Sequence, residues 1–184
     1  MTFFIVAVVY TICHGTTAWV VFPLQNIMFP DITVYASLIY FPHGIRVLAT
    51  WLLGWRAIPP LTLGAVVSAW LFNTPENWLL LEPAALLAAL VGASSAYIVL
   101  ELARVFGYDF YFDHSRRFQW RGLIAVGTLA SVLNSIGTTL IFSLVLAIEN
   151  TFGVLVTYLI GDLFGLILCM IALMFIFRWG RKII

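Results

Sequence analysis

Six stretches of this chain are apolar enough to cross a bilayer, and most are also long enough, at about 20 residues per crossing. They run roughly Phe3–Phe22, Val34–Trp55, Ile58–Phe72, Trp78–Leu102, Leu123–Ile148 and Phe152–Phe177. Hydrocarbon offers backbone amides and carbonyls no partner, so segments of this kind fold as helices whose hydrogen bonds close internally. The expected fold is therefore all-α, a polytopic membrane bundle of six transmembrane helices forming one domain over residues 1–184. Apolar side chains make up 63% of the chain and charged ones 9%, with a mean hydropathy of +1.07, which excludes a soluble globular domain. Prolines mark the ends: Pro59-Pro60 opens the third segment, and Pro23, Pro30, Pro75 and Pro83 fall at other boundaries. Pro42 is the exception, and with Gly44 it predicts a break in the middle of the second helix.

The basic residues sort by side. Arg56, Arg104, Arg116, Arg117, Arg121, Arg178, Arg181 and Lys182 all fall on one face of such a bundle, and only Arg46 lies within a segment. The positive-inside rule then places both termini in the cytoplasm. Trp19, Trp70 and Trp78 at the outer ends, with Trp51, Trp55, Trp120 and Trp179 at the inner ends, make the matching aromatic belt. No basic n-region precedes the first apolar run, so it is expected to stay as a helix rather than be cleaved. The net charge of +1 carries no nucleic-acid footprint. Cys13 and Cys169 have no metal or redox spacing and read as buried apolar residues.

Ionisable groups at mid-membrane depth are costly and mark either packing glue or a ligand pathway. His14, His43, Arg46 and Asp162 all fall there, with Asn134 and Ser135 at hand on the fifth segment. Arg46 leans outward along its helix toward the level of Asp162, which is its expected partner, Glu101 being the alternative. That centre is either a ligand or signal site or an internal ion pair. No nucleophile with base and orienter, phosphate loop or catalytic carboxylate pair accompanies it, so no enzymatic activity and no metal are expected. His14 and His43 on consecutive antiparallel helices also fit two axial ligands of a haem, or pigment ligands. Between Val105 and Trp120, Phe110, Tyr111 and Phe112 with Arg116 and Arg117 suit either lipid headgroups or a protein partner. On helix four, Ala85, Ala88, Ala89, Gly92, Ala93 and Ala96 form small faces, and Gly161-Asp162-Leu163-Phe164-Gly165 is a small-xxx-small pair for close helix contact.

The succession Pro42-His43-Gly44, Gly54-Trp55-Arg56, Pro59 or Pro60 and Gly64-Ala65, with Gly161-Asp162-Leu163-Phe164-Gly165 later, resembles the bacterial integral-membrane sensor domains of the MASE type. The resemblance covers most of the chain from Val34 onward. It implies an inner-membrane signalling module that passes a signal to a cytoplasmic output domain. This sequence has fewer helices than is common there, carries His43 and Arg46 where small or apolar residues are usual, and reaches Ile184 without an output domain. The expectation is a non-enzymatic signalling or assembly subunit working through a protein partner in the membrane. A small-solute-binding transporter component is the second reading and a haem or pigment carrier the third.

Overall fold

The computed structural model describes the backbone of residues 1–28, 37–72, 75–112, 120–143 and 151–183, and every regular element among them is helical. Helix α1 (Thr2–Thr16) continues through a π-helical turn, Thr17–Val21, into α2 (Phe22–Met28). Next come α3 (Phe41–Leu53), a 3₁₀ turn (Gly54–Ala57) and α4 (Ile58–Phe72). The long helices α5 (Pro75–Val105), α6 (Trp120–Ser143) and α7 (Thr151–Ile183) complete the chain. Pro83 lies inside α5 rather than at its start, a placement the surrounding residues do not explain.

Among the described residues, five stretches are long and apolar enough to cross a membrane: Thr2–Met28, Phe41–Phe72, Pro83–Val105, Trp120–Ile141 and Tyr158–Phe175. The second is not one rod. Gly54 ends α3 at φ +60°, ψ −139°, a conformation that a side chain opposes, and the chain reverses there. Gly64 of α4 lies against Ala7 and Tyr10, and Phe72 reaches Gly15, so α4 runs parallel to α1. Arg46 meets Tyr10 and Tyr40 meets His14, so α3 runs antiparallel to α1. Helix α7 runs parallel to α3, with Tyr40 at Gly161 and Gly44 at Cys169. The start of α1 and the end of α7 therefore share one end of the bundle.

The packing follows the small residues. Ala89, Ala93 and Ala96 of α5 are buried, as the small face anticipates, and Val47, Leu100, Leu123, Val126 and Leu166 join α3, α5, α6 and α7 in the larger core cluster. Large apolar side chains such as Ile12, Trp70, Leu87, Leu129, Phe164 and Met174 face outward. An apolar surface of that extent is the expected exterior of a bundle in lipid.

The aromatic connection after α5 closes one end of the bundle. Phe112 N donates to the Trp51 carbonyl at 3.2 Å and its ring meets the Trp51 indole edge-on at 5.0 Å. Phe110 packs over Gly122, and the Tyr111 hydroxyl donates to Glu101 at 2.8 Å. Burial, then Glu101, pushes the Tyr111 hydroxyl above the ordinary tyrosine range. That contribution to stability is full below about pH 10 and is lost as pH rises through the raised value. Tyr111→Phe is expected to cost about 1 kcal/mol at neutral pH, read as a small fall in the thermal midpoint in detergent, and an unchanged midpoint would show the bond to be idle.

Candidate functional site

The chain enters α3 through four residues, Ser37–Tyr40, that are not helical although they lie inside the bundle. Their backbone groups are taken up one by one. Leu38 N donates to the Gln25 Oε1 of α2 at 2.7 Å, Tyr40 N donates to the Gly161 carbonyl at 2.9 Å, and the Ser37 hydroxyl donates to the Ile39 carbonyl at 2.8 Å. Gly161 and Gly165 have no Cβ, and this lets the irregular segment lie directly on the backbone of α7. The pair expected to serve close helix contact does so at Gly165, which meets Phe41 and Gly44 of α3, and receives irregular backbone as well, at Gly161. The break expected in mid-helix is likewise moved: Tyr40 caps α3, and Pro42 occupies its first turn, where its missing N–H costs nothing.

One turn into α3, His43 is wholly buried and faces α6 and α7. Its Nε2 donates to the Gly127 carbonyl at 3.0 Å, and its Nδ1 lies 3.4 Å from the Oδ2 of Asp162, which also accepts from the Ser131 hydroxyl at 2.7 Å. A carbonyl oxygen only accepts, so Nε2 carries a hydrogen. Nδ1 makes no hydrogen bond among the described residues, although the Asp162 carboxylate lies beside it, and the second carboxylate oxygen, Oδ1, is likewise without a hydrogen-bond partner there.

Arg46 was expected to pair with Asp162, and it does not. Three residues along a helix turn a side chain about 60° away from the first, so Arg46 looks toward α1 and α5 while His43 takes the carboxylate. Its Nη2 donates to the Tyr10 hydroxyl at 2.8 Å, and the guanidinium carbon lies 5.5 Å from the Tyr10 ring centre and 5.7 Å from that of Tyr40. The group spreads over Gly92, where an added Cβ would stand 2.7 Å from Cζ. No carboxylate among the described residues lies within ion-pair distance of it.

His14 stacks on Phe72, with ring centres 5.6 Å apart and planes 11° apart, and meets Tyr40 edge-on at 5.9 Å. Both nitrogens of His43 face protein groups, so a two-histidine haem would lack its second ligand. Asn134 is buried on α6 and accepts from Thr138, whereas Ser131, one turn earlier, is the α6 residue that reaches Asp162. Of the partner surface expected on the aromatic connection, Phe110 and Tyr111 are half-buried against the core, and Arg116 and Arg117 lie outside the described residues. Reading of the sequence assigned Tyr10, Tyr40 and Ser131 no role in the centre and Gly92 only a packing one. Helical spacing offered a signal for two of them, since Tyr10 precedes His14 by one turn and Ser131 precedes Asn134 by three residues. Comparison with protein-family models, curated proteins and solved structures finds no match.

Proposed function

We propose that this chain is a non-enzymatic multi-pass protein of the bacterial inner membrane, with six crossings and both termini cytoplasmic, that acts as a signalling or assembly subunit through a protein partner. The resemblance to sensor membrane domains supports this reading, and so does the alternating direction of α1, α3 and α4, which counts the Phe41–Phe72 stretch as two crossings. The observation that carries it is the placement of Ser37–Tyr40. This segment hangs on Gln25 and Gly161 by single hydrogen bonds and leads directly into the helix that bears His43 and Arg46. Irregular backbone beside buried ionisable groups is an element that a signal can shift between two arrangements.

The test is retrieval of partners from native membranes with the full-length chain, identified by mass spectrometry. Arg46→Ala and Asp162→Ala are expected to reduce recovery of the partner severalfold, while Arg56→Ala, exposed beside Trp55, leaves it unchanged. Equal and negligible effects of all three would remove the polar centre from the function. The interrupted helix start with its arginine also favours the second reading, a solute-binding transporter component. Co-purification of an ATPase or a retained solute, in place of a signalling partner, would select it.

A further inference from the structure

A hydroxyl buried on a helix ordinarily bonds back to that helix. Thr17, Thr50, Ser68 and Ser95 do so, each donating to a carbonyl three or four residues earlier. On α6 the pattern changes. Ser131 donates to Asp162, and Ser135 and Thr139, one and two turns further on, are buried with their hydroxyls unbonded among the described residues. Gly127 meets Leu166 and Ser131 meets Asp162, so α6 and α7 run antiparallel and Tyr158 comes level with Ser135. Of the buried polar side-chain atoms without a hydrogen bond among the described residues, all but His14 Nδ1 belong to this line: Thr139 Oγ1, Ser135 Oγ, Asp162 Oδ1 and His43 Nδ1.

We infer that the contact between His43 and Asp162 is a proton-binding site, reached along the α6 hydroxyls from the end of the bundle opposite the start of α1 and the end of α7. The inference makes the proton the input of the proposed signalling subunit and to that extent rests on that reading. His43 Nε2 is committed as donor to the Gly127 carbonyl, so in a neutral ring Nδ1 holds a lone pair, 3.4 Å from the Oδ2 of Asp162. Two acceptors face each other there, and a proton on either atom converts the contact into a hydrogen bond, charge-assisted when the nitrogen carries it. A proton fits between them without a cavity. The surrounding charges oppose each other: Arg46 disfavours a second positive charge on His43, and Asp162 favours it. The other titratable groups nearby are Tyr10 and His14 of α1, Tyr40 at the entry to α3, and Tyr158 and Cys169 of α7. Helix α5 from Pro83 to Ala96 and α6 from Gly122 to Ser143 carry none. The unbonded hydroxyls of Ser135 and Thr139 can each accept and donate, which is what passing a proton inward to the pair requires.

The full-length chain, isotopically labelled at the histidine nitrogens and held in phosphatidylcholine nanodiscs, is titrated between about pH 4 and pH 9. The nitrogen resonances of His43, assigned by their loss in His43→Gln, and the infrared band of a protonated carboxyl report where the proton goes. One step is expected, at Nδ1 or at the Asp162 carboxyl, with the hydrogen on Nε2 kept throughout. Asp162→Asn is expected to weaken proton binding more than about tenfold, displacing the step by more than about one pH unit or abolishing it. Ser135→Ala combined with Thr139→Val should leave the step in place and slow its approach after a pH jump severalfold. Absence of a step, or a step unchanged in Asp162→Asn, overturns the site, and an unchanged rate in the double variant overturns the route. Thermal stabilisation by sodium chloride over choline chloride that vanishes in Asp162→Asn would assign a metal ion instead and is equally fatal. Should Asp162→Asn fail to fold, His43→Gln decides, since a step that persists unchanged without the imidazole does not belong to the pair. Titration of the pair without any retrieved partner would sink the signalling reading and leave this site standing; a retrieved partner without titration would do the reverse.

Discussion

Gly165→Leu is expected to destroy the folded bundle. A side chain there would be driven onto the carbonyl of Tyr40 and within 3.0 Å of Phe41 N, and these are backbone atoms that cannot rotate away. Relief would require Ser37–Tyr40 to lift off α7, surrendering the bond from Tyr40 N to the Gly161 carbonyl and displacing Gly44 from Cys169. The expected loss exceeds about 3 kcal/mol, beyond ordinary overpacking because backbone rather than side chain must yield. Yield of monodisperse protein in mild detergent and its thermal midpoint measure it. Phe164→Ala, at the exposed neighbouring position, should behave like the native chain. A Gly165→Leu protein with a native midpoint would mean that the extended segment does not rest on α7.

The second large effect separates charge from hydrogen bonding at Asp162. Asp162→Leu leaves the Ser131 hydroxyl without its acceptor and removes the carboxylate beside His43 in a fully buried place, and should cost about 3–5 kcal/mol. Asp162→Asn is expected to cost less, about 1–2 kcal/mol, because its amide oxygen in the place of Oδ2 still accepts from the Ser131 hydroxyl. Thermal unfolding of the two variants side by side decides the matter. If asparagine proves as damaging as leucine, the centre requires a negative charge at this position.

The class of fold was legible because it follows from a coarse property, the recurrence of apolar runs. The bounds of Ile58–Phe72 even coincide with α4, where Pro59, Pro60 and Phe72 mark both ends. The start of α3 was misjudged for a definite reason. Apolar character continues from Val34 through Leu53, and hydropathy does not distinguish extended from helical backbone; only contact with Gly161 and Gly165 makes the extended form tenable. The polar centre was legible as a set of depths and not as a set of pairs. Depth along a helix places Arg46 and Asp162 at compatible levels, but rotation about the axis decides which neighbour each side chain meets, and rotation depends on packing partners that a single sequence does not display. Tyr10 and Tyr40 were passed over because tyrosine in an apolar segment is ordinarily a packing residue with a hydroxyl to satisfy.

The attachment of Ser37–Tyr40 has a consequence for how this protein is made. Its amide acceptor at Gly161 belongs to α7, which leaves the ribosome well after Ser37–Tyr40, so until α7 has entered the membrane this segment holds a backbone donor that lipid cannot serve. Inserted chains lacking α7 thus carry an unserved backbone donor ahead of α3, and a chain truncated before Thr151 should be cleared by membrane quality control although its earlier apolar segments are intact.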